Sequence, residues 1–257
     1  ITYTRAMLSE TRFAKIVSIL KEKQSATVKE LAELLEASES TIRRDLNTLH
    51  KRNKLEKVFG GAVIPTSTFL NTEDEIEAKK RKNIGEKNLI ASYAASLIEN
   101  GDFVFIDAGS TTELMIDHIT ADHAFFVTNC PGHNRKLCLQ GFSCILLGGE
   151  LRLITDALVG AETLHMLGKY NFNKGFFGTN GISIESGFTT SYPTESSIKS
   201  SAIARCQKPY VLADSSKFGS IAAITFADIY AASIITSRLK NTRYREHTDV
   251  YEVEVLS

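Results

Sequence analysis

Between residue 103 and the C-terminus, seven short apolar runs recur: VFID, AFFVTN, CILLGG, KGFFGTNG, PYVLAD, ASIITS and YEVEVL. They constrain the fold more than any other feature of the chain. Several are continuously apolar instead of alternating, and they end in small or polar residues. A strand apolar on both faces must be covered on both, so strands of this kind, separated by helical stretches, predict a parallel sheet between helical layers. At 257 residues the chain is too long for one average domain and fits two domains or one large α/β domain. Its 43% hydrophobic content excludes wholesale disorder. No stretch approaches 18 uninterrupted apolar residues, and no basic-then-apolar leader pattern is present, so a soluble, cytoplasmic protein with no membrane partner is expected.

The first 60 residues read differently. They carry 12 basic residues against 8 acidic ones, although the whole chain balances at 30 against 30. A basic head on a mildly acidic body points to polyanion binding at one end. The composition changes near residue 65, where Pro65-Thr66-Ser67-Thr68 reads as a connector. The expected organisation is a DNA-binding domain over 7–64, a linker over 65–76 and a second domain over 77–257. Residues 1–6, before Met7, are read as a ragged start outside the fold.

Within the head, Thr27-Val28-Lys29-Glu30 has the T-x-x-E form of a capping box, which starts a helix before Leu31, Leu34 and Leu35. Glu36-Ala37 form a tight connection, and Ser38 can cap a second helix from about Ser40 to Arg52. There Ile42, Leu46 and Leu49 fall on one face, while Ser40, Arg44, Asn47 and Lys51 fall on the other, with Arg43 and Thr48 on its flanks. An earlier helix with Ile16, Ile19 and Leu20 inward completes a three-helix core. This is helix-turn-helix spacing, with the second helix of the pair free to enter a major groove. Arginine pairs with guanine edges, asparagine with adenine, and hydroxyls hold phosphates. Lys54 to Val63 reads as two short strands around Gly60-Gly61, a wing whose Lys57 reaches the DNA backbone. The candidate DNA contacts are Thr27, Ser38, Ser40, Thr41, Arg43, Arg44, Asn47, Lys51 and Lys57. For a lone amphipathic helix a merely wet face would be the simpler reading. The ordered set of box, turn, helix and wing favours DNA.

In the larger half, Phe103 to Asp107 reads as a strand and Ala108-Gly109-Ser110-Thr111-Thr112 opens a helix. Small residues at such a turn let amides and hydroxyls converge on an anion. The turn is neither a Walker A loop nor a dinucleotide GxGxxG. Other strand ends supply Thr128-Asn129, Gly148-Gly149 with Arg152, Gly178 to Gly181, and Asp214 with Lys217. Ligands of doubly wound sheets collect at carboxyl ends of strands, so these groups are expected to surround one pocket. Glu195 and Lys199 stand four apart on a predicted helix, where spacing alone suggests a surface ion pair. The four cysteines (Cys130, Cys138, Cys144 and Cys206) lack CxxC spacing and read as reduced, mostly buried thiols, with no metal site.

The stretch TVKELAELLEASESTIRRDLNTLHKRNKLEKVFGGAV resembles the deoxyribose-operon-repressor (DeoR) family of bacterial regulators, SESTIRRDL most specifically. IDAGSTT, VTN, LGGELR, FFGTNGIS, GFTT with Glu195 and Lys199, and VLADSSKFG resemble that family's sensor motifs, so the likeness extends to about Ile235. It implies a winged helix-turn-helix with 27–46 as the helix-turn-helix segment. It also implies a Rossmann-like three-layer α/β sensor similar in fold to ribose-5-phosphate isomerase, glucosamine-6-phosphate deaminase and CoA transferases. The implied sugar-phosphate pocket is lined by Asp107, Gly109, Ser110, Thr111, Thr112, Asn129, Gly149, Glu195, Lys199, Asp214 and Lys217, with Arg152 an added candidate cation. One departure is Asn173-Lys174 ahead of FFGTNG, where the family pattern leads with an aspartate.

The function expected from these observations is a DNA-binding regulator, a repressor of a carbohydrate-utilisation operon. Its homo-oligomer would bind double-stranded operator DNA under control of a phosphorylated sugar, without a cofactor or a catalytic residue. The alternative is a sugar-phosphate isomerase-like enzyme with Asp107 or Glu195 as base. The chain lacks the aspartate-rich catalytic loop and the histidine placement that this chemistry requires, and fold alone does not imply activity.

Overall fold

The computed structural model describes residues 9–23, 25–52, 54–63, 68–70 and 75–253. Contacts divide the chain into two compact units, Ile1–Thr66 and Ser67–Ser257.

The first unit runs α1 (Ser9–Lys23), β1 (Ser25–Thr27), α2 (Val28–Leu34), α3 (Glu39–Lys51), β2 (Glu56–Val58) and β3 (Gly61–Val63). The capping box forms as its spacing dictates. The Glu30 amide donates to Thr27 Oγ1 at 3.2 Å and the Thr27 amide to Glu30 Oε2 at 2.8 Å, which starts α2. Ser38 Oγ accepts from the Thr41 amide at 3.2 Å and starts α3. Ile16, Leu20, Leu31, Ile42, Leu46 and Leu49 close one core with Phe13. Ile19 only lines its edge and Leu34 is exposed, because each lies a flank away from the buried stripe. The wing is wider than two strands: β1 joins it, in the antiparallel order β1-β3-β2.

The second unit begins with β4 (Thr68–Phe69), α4 (Ile76–Arg81) and α5 (Ile84–Ser96). There follow β5 (Phe103–Ile106), α6 (Ser110–Ile116), β6 (Phe125–Thr128), α7 (Pro131–Leu139) and β7 (Ser143–Leu146). A hairpin, β8 (Glu150–Arg152) and β9 (Ala157–Val159), leads to α8 (Ala161–Leu167) and β10 (Phe172–Gly178). The rest comprises β11 (Gly181–Ser183), β12 (Gly187–Thr190), α9 (Pro193–Ile203), β13 (Cys206–Leu212), β14 (Ser220–Ile221), β15 (Ile224–Ala227), β16 (Ser233–Thr236) and β17 (Val250–Glu252). Of the expected linker, 65–67 and 71–74 lie outside the described residues, whereas β4 pairs in parallel with β14 and so belongs to this body.

The seven apolar runs supply the seven strands of one all-parallel sheet, in the order β17-β16-β13-β10-β5-β6-β7. Alternate residues feed two cores. Phe105, Phe177, Val211 and Ile234 face α9 with Ile198 and Ala202, while Val104, Ile106, Phe176, Leu212 and Ile235 face α5 to α7 with Ile90, Ala94, Met115 and Leu137. The result is a three-layer α/β unit. A smaller antiparallel sheet, β11-β12-β15, packs beside α9. The chain winds outward from β5 through β6 to β7, then returns beside β5 as β10 and winds the other way. That reversal opens a crevice at the carboxyl ends of β5 and β10.

Candidate functional site

Strand ends converge on a cavity at this reversal. Asp107, which ends the β5 run, Asn129 after β6, Gly178 to Asn180 at the end of β10 and Asp214 after β13 all line it. Gly109, Ser110 and Thr111 line it from the turn into α6, and Glu195 and Lys199 from α9, with Lys217 beyond Asp214.

Charge pairing assigns several of these groups a role before any ligand is considered. Glu195 and Lys199 do not form the surface pair suggested by their spacing; both are buried and face inward to different partners. Lys199 Nζ bonds Asp107 Oδ2 and also donates to the Gly178 carbonyl at 3.0 Å. Burial pushes the Asp107 carboxyl up, while Lys199 and the Gly178 and Ala108 amides pull against it. Glu195 Oε1 accepts from Thr155 Oγ1 at 2.5 Å and pairs with Arg152 Nη1 at 3.3 Å. The Arg152 guanidinium also lies over the Tyr192 ring, so it borders the cavity through Glu195 instead of lining it. Asn129 fastens two segments, accepting from the Ala108 amide at 3.1 Å and donating to the Leu158 carbonyl at 3.3 Å.

Thr112 and Gly149 stand behind the lining. Thr112 Oγ1 donates to the Asp107 and Gly109 carbonyls at 2.7 and 2.9 Å, which locks the turn. Gly149 has φ +139, and a Cβ there would meet the Thr163 hydroxyl and lie 2.7 Å from the Val159 carbonyl. Its requirement is backbone packing. Beneath the turn, buried His133 hydrogen-bonds the Gly109 backbone, and burial lowers its pKa to about 3.

The α4–α5 joint supplies cations that spacing along the sequence gave no reason to place here. Lys79, Lys82, Asn83 and Lys87 all line the cavity. Asn83 takes a left-handed conformation (φ 52), tolerated best by glycine and asparagine, and its Nδ2 donates to Asp214 Oδ1 at 2.8 Å. Asp214 Oδ1 also accepts from the Ser216 amide and hydroxyl at 3.0 and 2.5 Å. Burial opposes the charged form, but these bonds and Lys217 hold the carboxyl below its ordinary value. Lys87 is buried, and its Nζ donates to Ser110 Oγ at 3.0 Å and to the Lys79 carbonyl. Burial pushes its ammonium down. Asp214 opposes that shift, and the neighbouring charges of Lys217, Lys79 and Lys82 add to it.

The Asn173-Lys174 departure lies at the other end of the strands. Lys174 Nζ pairs with Asp102 Oδ2 at 2.6 Å and Glu99 Oε2 at 2.9 Å, and Asn173 Oδ1 accepts from the Phe103 amide at 2.9 Å. It leaves the cavity chemistry untouched. Among the described residues no His, Cys, Asp and Glu cluster suits a metal, and His118, His123 and His133 form no such group. The thiols are free, but only Cys130 is buried; Cys138 is exposed on the outer face of α7, while Cys144 and Cys206 are intermediate. No helix among the described residues is long and apolar enough to cross a membrane.

In the first unit, the α3 face expected to read DNA is open: Ser40, Arg43, Arg44, Asn47 and Lys51 are exposed, and Thr41 is half-buried. Arg43 pairs with Glu39 at 3.1 Å across one exposed turn. The Thr27 and Ser38 hydroxyls serve as helix caps. Lys57 Nζ donates to Asn47 Oδ1 at 2.5 Å, tying wing to helix. Asp45, which sequence reading passed over, is buried and takes both ends of the Arg12 guanidinium, Nη2 at 3.1 Å. Arg12 thereby leaves the set of cations open to a polyanion.

A winged helix-turn-helix joined in one chain to a parallel α/β body with a strand-end cavity defines a DNA-binding regulator with a ligand-sensing domain. Residues 12–68 match the family described as the DeoR-like helix-turn-helix domain, and residues 82–238 the DeoR C terminal sensor domain. The chain belongs to the DeoR family of transcriptional regulators. It is similar to the HTH-type transcriptional regulator FruR of Bacillus subtilis (strain 168), 40% identical over 97% of this chain and 99% of that protein. It is also similar to the lactose phosphotransferase system repressor of Streptococcus mutans, 34% identical over 90% of this chain and 92% of that protein. Among solved structures, ribose 5-phosphate isomerase A from Methanocaldococcus jannaschii superposes with a TM-score of 0.39 at 16% identity, over 53% of this chain and 55% of that one.

Proposed function

We propose that this regulator represses a carbohydrate-utilisation operon, and that a phosphorylated sugar in the strand-end cavity sets its affinity for operator DNA. The observation that carries the reading is the gathering of lysines along one wall of the cavity. Lys199 and Arg152 are engaged by Asp107 and Glu195, while Lys79, Lys82, Lys87 and Lys217 line the cavity on the side of Asp214 and the Ser110-Thr111 turn, near enough for their charges to act on one another. A phosphate dianion at that wall would accept charge-assisted bonds from Lys87 and hydrogen bonds from the turn. Asp107, Asn129, Thr155 and Asn180 line the same cavity and suit sugar hydroxyls. The phosphate cations in this reading come from the α4–α5 joint and Lys217, with Lys199 and Arg152 holding the pocket walls.

The regulator acts in the cytoplasm as a homo-oligomer, since paired half-sites multiply the specificity of one small module. No catalytic role is proposed. The two carboxylates able to serve as a base, Asp107 and Glu195, are each held by a cation. The repressor reading is supported by relatives named as repressors, the lactose phosphotransferase system repressor among them.

A thermal-shift panel of phosphorylated sugars tests the site. A specific ligand at about 100 times its Kd stabilises the fold by about 2.7 kcal/mol. Lys87→Met should keep the fold and remove that response, while Lys199→Met should destabilise the fold itself by leaving Asp107 buried without its cation. A full response from Lys87→Met would move the phosphate elsewhere.

A further inference from the structure

Phe59 is completely exposed, at 108% of its reference surface, and it occupies the tip of the wing. The turn that presents it is braced on both sides. Its Gly60 takes φ +79, and the Gly60 carbonyl accepts from the Val28 amide, the first residue of α2, at 2.9 Å. Gly61 presses so closely on β1 that a Cβ there would collide with the Ala26 carbonyl. Phe59 therefore cannot fold back onto the core, where Leu55 of the same arm is buried. Two residues before it, Lys57 reaches Asn47 on the exposed face of α3, so the wing stands against the helix that reads the major groove. Lys54 and Val58 beside it are exposed as well.

A scattered surface hydrophobe usually needs no explanation. This ring differs in being fixed on a short, hydrogen-bonded hairpin, two residues beyond Lys57 and next to a DNA-reading helix. With α3 in a major groove, a wing braced against it reaches the adjacent minor groove. A flat apolar side chain there can wedge between base steps and bend the duplex. We propose that Phe59 is such a wedge, so that the wing reads how easily the operator deforms as well as its charge. The occupant is duplex DNA, and a flexible pyrimidine–purine step under the wing would be favoured. The proposal rests on the DNA-binding activity of the family and adds a residue and a mode of readout to it.

The test uses the full chain and a duplex selected by it from a random-sequence library, labelled at both ends for energy transfer. Phe59→Ala should weaken binding about tenfold and straighten the duplex, with the salt slope unchanged because no phosphate contact is lost. Phe59→Leu should keep most of the affinity and bend. Placing 2-aminopurine at successive steps should locate an unstacked base that Phe59→Ala restacks. Equal affinity and equal bend for Phe59→Ala would overturn the wedge while leaving DNA binding intact. Failure of the unaltered chain to select any duplex would overturn DNA recognition itself. Circular dichroism keeps the comparison valid, since an exposed residue should be replaceable without loss of fold.

Discussion

His133 shows how one buried side chain can tie pH to the integrity of the turn that opens α6. Its imidazole lies under Gly109 with Nδ1 unpartnered, and in the fold it resists protonation until about pH 3, against an ordinary value of 6.5. Between those values the unfolded chain binds more protons than the folded one. Stability from this group is therefore full above about pH 6.5 and falls as the pH drops towards 3. At pH 5 the loss is about 2 kcal/mol. Urea unfolding of the wild type and His133→Gln at pH 7 and pH 5 should show the variant losing less stability by that amount; parallel losses would mean that His133 titrates in the fold as it does in the unfolded chain. The sequence could not disclose this environment, because it presents His133 only in a helix or loop context that carries no motif. The same holds for Lys199 and Asp107, 92 positions apart, and for Arg12 and Asp45, 33 apart. Local spacing offered Glu195 as the Lys199 partner, and only the long-range topology shows that both side chains turn inward.

Elements were more legible than pairs, for a physical reason. A strand in a parallel sheet is apolar on both faces, so its run stands out in sequence even without a partner in view, and all seven runs became strands of the sheet. The short strands were harder to see. β8 exposes Leu151 and the turn to β9 exposes Leu153, so the hairpin carries no clean alternation, and the three residues of β1 gave no signal of joining the wing. The α4–α5 joint escaped for another reason: a lysine-rich segment reads as a solvated helix until Asn83 turns it over the cavity. In the first unit the tie between helix and wing has a measurable consequence. Arg44→Ala should weaken operator binding by about 1–3 kcal/mol and relax base preference at one position. Lys57→Ala and Asn47→Ala, by contrast, should be non-additive by about 0.5 kcal/mol or more, since either change breaks the bond that positions the other side chain. Mobility-shift titrations of the three single variants and the double variant over several salt concentrations decide both points. Strict additivity of Asn47 and Lys57 would make them independent contacts.

At the scale of the whole chain, a cavity acts as a switch only if its ligand binds two states of the protein unequally. A tenfold change in operator affinity requires a preference of about 1.4 kcal/mol, a modest demand on a site that gathers several buried charges. Thermodynamic linkage then makes a strict demand in return: operator DNA must change affinity for the sugar phosphate by the same factor. Thr111 lines the cavity in the turn that opens α6. Thr111→Ala should leave operator affinity without ligand unchanged, because it lies in the other folding unit from α3, and should weaken sugar-phosphate binding. Calorimetric titration of the sugar phosphate with and without a saturating operator duplex gives one ratio, and operator titration with and without the sugar phosphate gives the other. Equal ratios away from unity identify the cavity as the control site, and in Thr111→Ala the ligand concentration needed for half of the effect should rise in step with its weakened binding. If the sugar phosphate binds while both ratios stay at unity, the cavity holds a ligand without governing DNA, and the division of labour between the two units fails.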